Sequence, residues 1–354
     1  GLDLSGHPSP PDDLAPQTVQ RFLKESATLK GFSTNPVVVF RFSKAIRTGD
    51  LSGSLRIVDI SKGSPEYGQA SSIAWGPSER RSNYACAHWL GVRRPADLPL
   101  RSNTTYAAIV SRSVRATGGG EFARSPDLDA LLSSERPGDA TLGSAWDKYA
   151  PLRAYLSDAR DMKTEDVLNA SVFTTQDASG IVPRLRAAIE ADGVPALEDL
   201  TVCKDGVRSP CEDDGGRGAC HSERSSFTEI HGHVLLPNFQ RGTPPYETPD
   251  QGGDLEIAAD GSPEVLGHVK VCFALSVPKK QAPAAGFPVL IVGHPTGGSF
   301  SDQMGANGYA QWAATLPAPS AVLSIDLPEH GRRRGTSQRP PQDLYFNLLN
   351  PKSV

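Results

Sequence analysis

A short apolar stretch that ends abruptly in glycines constrains the fold of this chain more than any other feature. Residues 286–298 read GFPVLIVGHPTGG, and Phe287 to Val292 are almost all apolar. A run of this length closed by glycines predicts a strand buried on both faces that ends in a tight, exposed turn. The composition from Ser299 to Thr315 is typical of a helix, and Ser320 to Leu327 (SAVLSIDL) predicts a second buried strand. Strand, glycine turn, helix and strand in this order indicate the start of a parallel α/β sheet.

The two turns that follow these strands resemble motifs of the α/β-hydrolase family. Residues 294–298 (HPTGG) are similar to the H-G-x-G-G oxyanion turn after the third strand of that family. Residues 326–332 (DLPEHGR) resemble the end of the next strand, where many members carry D-x-x-x-H-G-x-R. The resemblance covers about the last seventy residues. The β-rich sequence before them is similar to extracellular bacterial lipases and esterases that have an N-terminal immunoglobulin-like domain.

The resemblance implies a serine hydrolase, an enzyme acting on ester or lipid substrates, and we expect it to use neither a cofactor nor a metal. Thr296 would supply the backbone N–H of the oxyanion hole, because Pro295 stands where glycine is usual and proline has no N–H. Asp326 and His330 would shape the entrance of the site. The residues expected to support the turn are His294, Pro295, Gly297 and Gly298, with His294 bonding a neighbouring loop.

The nucleophile that the family requires is missing from the sequence. In α/β-hydrolases it lies on a later G-x-S-x-G elbow and is followed by the acid and the histidine, whereas the 354 residues contain no such motif. The sequence ends at Pro351-Lys352-Ser353-Val354, where the rest of a catalytic domain would begin. We therefore expect the N-terminal part of an enzyme. Its partner would be a second chain or C-terminal segment of the same precursor, separated by proteolytic processing, that carries the serine, acid and histidine.

Two other functions fit the same residues. The β-rich part could recognise a surface polymer, which would make the protein a binding or adhesion module with an inert hydrolase remnant. A truncated sheet would expose the apolar edge of the strand at Ser320 to Leu327, an aggregation liability that argues against a free-standing protein of this kind. A peptidase or amidase on the same scaffold is the third possibility, because an oxyanion turn does not distinguish esters from amides.

Composition narrows the class of protein further. The net charge is −4, which gives no indication of nucleic-acid binding. No apolar run reaches 18 residues, so the sequence predicts no transmembrane segment. The 34 glycines and 30 prolines exceed average usage and favour turns and β-structure over helical bundles. Gly1 in place of an initiator methionine indicates a processed or trimmed start.

Five cysteines indicate disulfide bonds and an oxidising compartment. Three of them lie in a loop rich in Asp and Gly, and their spacing matches no usual zinc finger. A disulfide-pinned surface loop is the simplest interpretation, with free thiols or a metal as alternatives. The odd number leaves one thiol unpaired or bonded to another chain, and Cys272 is expected to be a small buried hydrophobe. The disulfide candidates are Cys203, Cys211, Cys220 and Cys86, and we expect a secreted, cell-surface or periplasmic bacterial protein.

The pattern along the chain predicts an α+β N-terminal part, an immunoglobulin-like β-sandwich plus helices, followed by the first half of an α/β-hydrolase sheet. Residues 98–110 (LPLRSNTTYAAIV) resemble the penultimate strand of bacterial immunoglobulin-like domains. The expected segments are a lead-in over 1–32, the β-sandwich over 33–120, a helical and β brace over 121–200, a cysteine-rich loop over 201–224 and the N-terminal portion of the hydrolase domain over 225–354.

Some further residues have both a functional and a structural interpretation. His231 and His233 project from one face of a predicted strand and could bind a metal, although half-exposed strand positions are commoner. Residues 145–158 predict a helix with one apolar face, and its Trp146 and Tyr149 are expected to pack in a core rather than stack on a ligand. Tyr246, in a long loop, is expected to be an exposed aromatic near the mouth of the site.

Overall fold

The computed structural model describes residues 25–26, 29–49, 51–81, 86–347 and 349–353. They form two compact units that divide between Ile181 and Val182, within the segment expected to act as a brace. Both units combine strands and helices, so the fold is α+β in its coarse class. Most of the expected lead-in lies outside the described residues. The longest described helix has 12 residues, so none is long enough to cross a bilayer.

The elements of the first unit whose bounds lie within the described residues are two antiparallel sheets and three α-helices. Its strands are β1 (Val38–Arg41), β2 (Leu55–Asp59), β3 (Ala74–Ser78), β4 (Trp89–Arg93), β5 (Thr105–Ser111) and β6 (Val167–Thr174). Its helices are α1 (Pro126–Leu132), α2 (Ala140–Lys148) and α3 (Ala150–Asp158). The sheet orders are β1-β4-β3 and β2-β5-β6, with every neighbouring pair antiparallel.

Alternation along the strands produces two apolar layers in this unit. Phe40 and Leu90 of one sheet share a core with Ile57, Tyr106 and Phe173 of the other. The next residues along β2 and β5 point the opposite way and pack against the three helices. The unit therefore has three layers, two sheets and a layer of helices. One apolar core lies between the two sheets, and the other lies between the second sheet and the helices.

The helical layer differs in one respect from the sequence prediction. The single helix predicted over residues 145–158 is divided at Tyr149, because Pro151 lies in the first turn of α3 and cannot donate a backbone hydrogen bond. Trp146 and Tyr149 pack against the helical core, as expected. Their polar atoms donate to backbone carbonyls of Ser133 and Ala170, each at 2.9 Å, which satisfies both side chains without a ligand.

The second unit is built on one mixed five-stranded sheet. Its strands are β7 (Leu197–Val202), β8 (Phe227–Asn238), β9 (Gln240–Gly242), β10 (Gly252–Leu255), β11 (Gly267–Pro278), β12 (Val289–Ile291) and β13 (Ala321–Ile325). Its helices are α4 (Ile181–Asp192), α5 (Tyr309–Thr315) and α6 (Pro341–Tyr345). The order is β12-β13-β11-β8-β7, and β9 and β10 form a separate ribbon.

The strand directions divide this sheet into an antiparallel and a parallel part. β8 and β11 form a long antiparallel pair from Phe227↔Pro278 to Asn238↔Gly267. β12 and β13 are parallel, with Val289 opposite Ala321, and α5 lies in the connection between them. α5 packs Ala310, Ala313 and Ala314 onto the sheet, and these small side chains allow the helix to approach closely.

The strand predicted to be buried on both faces is instead exposed. Val289, Leu290 and Ile291 of β12 have exposed fractions of 55%, 38% and 73%. β12 lies at the edge of the described sheet and is paired with β13 only, whereas α5 packs against β13, β11 and β8. The prediction was therefore correct about the strand and wrong about its burial. The exposed apolar edge belongs to β12 and not to the strand at residues 320–327.

Candidate functional site

The two turns identified in the sequence lie side by side at the carboxyl ends of β12 and β13. Because the strands are parallel, the segments after Ile291 and after Ile325 leave the sheet at the same edge. In open α/β sheets, ligands bind in the crevice outside the carboxyl ends of the strands. Residues 293–298 and 326–332, 28 or more positions apart in sequence, thus form one local structure, which we call the paired turns.

Two buried histidines connect the paired turns. The backbone N–H of Leu327 donates to His294 Nε2 at 3.1 Å, and the N–H of Gly297 donates to His330 Nε2 at 2.9 Å. Each Nδ1 faces a backbone carbonyl, Pro295 O for His294 and Pro328 O for His330. Each ring therefore accepts through Nε2 and donates through Nδ1, which leaves no nitrogen free to act as a general base.

This bracing agrees with the contact expected of His294 and assigns a second brace to His330. The exposed fractions of the two side chains are 3% and 1%, and their ring centroids are 4.8 Å apart at an edge-on angle. His330 had been placed at the entrance of the site. It is instead buried between the turns, because its Nε2 is needed to accept from Gly297.

The first turn presents one unused donor. Gly298 N–H donates to Pro295 O at 2.9 Å, and Gly297 has φ +88°, which matches the third position of a type II turn and favours glycine there. Thr296 occupies the second position and is exposed. Within the described part of the chain, nothing accepts a hydrogen bond from its N–H. The turn is thus held by its neighbours while the amide of Thr296 faces outward.

The carboxylate of Asp326 is also internal. Its exposed fraction is 1%, and Oδ1 accepts from the backbone N–H of Phe300 at 3.0 Å. Burial raises the pKa of Asp326 above its usual value, opposed by the hydrogen bond from Phe300. Asp326 therefore ties the second turn to the segment that follows the first. That Asp326 lies at the entrance of a site stays a prediction.

A cleft of about 500 Å³ adjoins the paired turns. Segments after both strands line it, Gly297 to Asp302 after β12 and Asp326, Gly331, Arg332, Arg334 and Gly335 after β13, and Cys211 and Arg217 of the cysteine loop complete the wall. The volume lies in the range of small-molecule sites. Thr296 is not among the residues that line this cleft.

The cysteine loop is held by two disulfide bonds, Cys203–Cys220 and Cys211–Cys272. Cys272 is a disulfide partner and not merely a buried apolar residue, because β11 places it at the sheet face that the loop covers. Cys86, a disulfide candidate from the sequence, is free and exposed. The expectation that one of five cysteines is unpaired is confirmed, as is the presence of disulfides.

Glu229, His231 and His233 follow one another on the face of β8 beneath this loop. His231 and His233 have exposed fractions of 0% and 5%, so the interpretation as half-exposed strand residues is wrong. Ser209 Oγ lies 2.8 Å from His231 Nδ1, and His231 Nε2 lies 2.7 Å from Glu229 Oε1. Burial raises the pKa of Glu229, but contacts with His221 and His231 outweigh burial and lower it to about 2.

The Ser209–His231–Glu229 chain has the connectivity of a catalytic triad but lacks access. All three side chains are at most 4% exposed, and none lines the cleft. Ser209 Oγ also accepts from the backbone N–H of Cys211 at 3.1 Å. A nucleophile must reach a substrate carbonyl, so this network acts to fix the loop on the sheet.

The histidines also lie beside both disulfides, in two buried groups whose donor atoms fall within 4.8 Å of one another. These groups are Cys203, Cys220 and His231, and Cys211, Cys272 and His233. Cysteine binds metals as a thiolate, and here each sulfur is bonded to another sulfur. With the disulfides formed, neither group offers the ligand set of a zinc site.

Sequence reasoning missed three of the residues that organise this region. Glu229 and Ser209 escaped notice, although the spacing of Glu229, His231 and His233 by two places them on one strand face. Glu329, next to His330, was also not singled out. Tyr246 was expected to be exposed and is 3% exposed, because Asn347 and Asn350 donate to its backbone carbonyl.

Comparisons with known proteins leave this region unassigned. No protein-family model matches the chain, and no curated protein matches it. A search of solved structures found a similarity to domains 1–6 of the surface layer protein SbsC, at 12% identity and a TM-score of 0.18. That match spans 75% of this chain and 36% of the surface layer protein. A similarity at this level carries no argument about fold or function.

Proposed function

We propose that this chain is the N-terminal part of a secreted serine hydrolase of ester or lipid substrates and supplies its oxyanion turn. The observation that carries the proposal is the backbone N–H of Thr296, which is exposed and unpaired within the described residues at the end of a parallel strand. The finer fold assignments, an immunoglobulin-like sandwich in the first unit and the opening of a hydrolase sheet in the second, belong to the same proposal. The disulfides favour an exported protein.

The proposed chemistry depends on a donor that does not move during the reaction. Ester hydrolysis places a negative charge on the carbonyl oxygen of the tetrahedral intermediate, and fixed N–H groups stabilise it. The turn containing Thr296 is held by the bond between Gly297 and His330 and by the bond between Gly298 and Pro295. A donor on such a turn needs no reorganisation when the charge develops. A second donor would come from the residue after the nucleophile.

The position of Thr296 also indicates where the missing nucleophile would be. An elbow serine and the N–H of Thr296 must reach the same carbonyl group, so the strand that carries the elbow must lie next to β12. The side of β12 away from β13 is unpaired in the described residues, and Val289, Leu290 and Ile291 are exposed there. A further parallel strand would satisfy the backbone and cover the apolar side chains. We assign that strand to a second chain or a C-terminal segment of the same precursor.

The aromatic residues of α5 favour the same arrangement. Tyr309 and Trp312 are 53% and 56% exposed, opposite the alanines that face the sheet. Aromatic residues are enriched in interfaces between protein chains. The exposed edge and this helix face are surfaces that a partner would bury. They support association through the sheet more than recognition of a surface polymer by the first unit.

The test removes the N–H of Thr296 and keeps the conformation of the turn. In the complete enzyme, Thr296→Pro removes the N–H, and proline suits the second position of a type II turn. Loss of one oxyanion donor predicts a fall in kcat by a factor of about 10²–10³ with little change in KM. Thr296→Ala keeps the N–H and is the matched control, for which we expect nearly full activity.

The location of the nucleophile is tested separately. A fluorophosphonate probe should label a serine outside residues 1–354 in protein purified with its associated chain or segment. Labelling of a serine within these residues, or equal turnover by Thr296→Pro and Thr296→Ala, would refute the proposal. Hydrolysis of amide but not ester substrates would show that the enzyme is a peptidase or amidase.

A further inference from the structure

A second cavity of the same unit has the features of a ligand site and lies apart from the Thr296 amide. Its volume is about 570 Å³, within the range of small-molecule sites. It is lined mainly by apolar side chains from α4, β8, β10 and β11 and by residues of the loop that contains Tyr246. The apolar residues that form its walls include Leu185, Ile189, Leu236, Leu255 and Val269. We call this cavity the apolar pocket.

One end of the apolar pocket is polar, and Glu329 lies there. The Oε2 atom of Glu329 is buried and has no hydrogen-bond partner in the described part of the chain. The residue also has φ +62°, a left-handed conformation that is unfavourable for residues other than glycine. An unpaired buried oxygen on a strained residue beside a cavity indicates a position kept for a ligand contact.

Arg333 lies at the same end and has donors to spare. It is half-buried, and its hydrogen bond within the described residues goes to the backbone carbonyl of Asp326 at 3.2 Å. No carboxylate of the described residues lies within 4 Å of its guanidinium. The guanidinium is planar and has five N–H groups, a geometry that matches a carboxylate. A half-buried arginine without a direct anionic partner can therefore receive a negatively charged group.

The charged residues around this end favour a ligand with a negative charge. Lys270, Arg332 and Arg333 line the apolar pocket together with a single acidic residue, Glu329. An ammonium group would be repelled by Arg333, and a neutral alcohol would leave its spare donors unused. A carboxylate accepts from Arg333 through one oxygen and from a protonated Glu329 through the other. Two carboxyl groups that share one proton in this way avoid the repulsion of two like charges.

We propose that the apolar pocket binds a carboxylate with an aliphatic chain, of the size of a medium-chain fatty acid. The chain would lie against Leu236, Leu255 and Val269, and the carboxylate would lie between Arg333 and Glu329. The inference does not depend on the proposed hydrolase, because binding requires no turnover. The segment Gly331–Gly335 separates the apolar pocket from the cleft beside the paired turns, and its residues Arg332 and Gly335 line both.

The contact with Glu329 predicts how binding depends on pH. Burial raises the pKa of Glu329 to about 7, with Arg333 opposing and Glu247 reinforcing the rise. The other groups that face it are the phenol of Tyr246 and, along the pocket wall, Arg332 and Lys270. The carboxylate needs Glu329 protonated, so affinity should be full below pH 7 and fall by about tenfold per pH unit above it.

The experiment is calorimetric titration of the 354-residue chain with sodium decanoate below its micelle concentration. We expect saturable binding with one site, weaker by about tenfold at about pH 8 than at about pH 6. Decanol, which has the same chain without the charge, should bind at least tenfold more weakly at about pH 6. Equal affinities for decanoate and decanol, or no saturable heat from decanoate, would overturn the proposal.

Substitutions test the polar end and the apolar wall of the pocket separately. Glu329→Gln retains a donor that does not titrate, so binding should persist and its pH dependence should disappear. Ile189→Ser on α4 should weaken binding several-fold, whereas Val182→Ser, on the same helix but outside the pocket, is the matched control. Retention of the wild-type pH dependence by Glu329→Gln, or equal effects of the two helix substitutions, would contradict the assigned geometry.

Discussion

Removal of the disulfide bond that joins the cysteine loop to the sheet should reveal how much of the second unit's stability depends on it. Cys211–Cys272 closes a loop of 61 residues, and Cys203–Cys220 closes one of 17. The chain-entropy relation gives about 4 kcal/mol for the longer loop and about 3 kcal/mol for the shorter one at 25 °C. We therefore expect Cys211→Ala/Cys272→Ala to lower the free energy of unfolding by about 1 kcal/mol more than Cys203→Ala/Cys220→Ala.

The assay is urea unfolding of the full chain, followed by circular dichroism and by tryptophan fluorescence, to which the second unit contributes Trp312. Loss of a cross-link lets the denatured chain expand, so the m-value should rise along with the fall in midpoint. Cys86→Ala, at the free and exposed cysteine, should change neither quantity. An unchanged midpoint for Cys211→Ala/Cys272→Ala, or a larger loss from removing the shorter loop, would refute the entropic reasoning.

Two further predictions concern buried polar groups of the same unit. The pKa of Glu229 is about 2 in the folded protein, below its ordinary value of 4.5, so its stabilisation is present above pH 4.5 and is lost as the pH falls towards 2. Acid unfolding should therefore be less steep in Glu229→Gln than in the wild type, and coincident acid transitions would contradict this. His330→Ala should raise amide hydrogen exchange at Gly297 by tenfold or more, because its acceptor is removed. His330→Gln, which can place an acceptor at the same position, should restore protection, and equal exchange in both variants would exclude the brace.

Local patterns were sufficient to identify the elements of the parallel pair. The apolar run before Gly293 and the run before Asp326 are strands, and both turns begin near the predicted residues. The need for glycine in the first turn was also visible in the sequence. Gly297 has the positive φ that the third position of a type II turn requires. These features depend on neighbours within a few residues, which a single sequence contains.

Burial and pairing could not be predicted in the same way, because they depend on partners far along the chain. β12 has the composition of a central strand, but the sheet order gives it a single described neighbour, β13. Cys272 lies in an apolar strand typical of a buried core. Its partnership with Cys211 arises only when β11 pairs with β8 and the loop returns over that face. The apolar sequence thus indicated that Cys272 would be buried, but it did not indicate which segment of the chain would bury it.

The histidines depend on distant partners in the same way. His294 accepts from Leu327 and His330 accepts from Gly297, each 33 residues away, and Ser209 lies 22 residues from His231. The bracing contact expected of His294 came from the resemblance of its turn to that of the α/β-hydrolases, whereas the sequence around His330 and His231 did not indicate their burial. A histidine whose nitrogens are both engaged cannot transfer protons to a substrate, whatever its sequence motif. Neither histidine of the paired turns is therefore free to transfer protons, and what the first turn offers is hydrogen-bond donation by the backbone amide of Thr296.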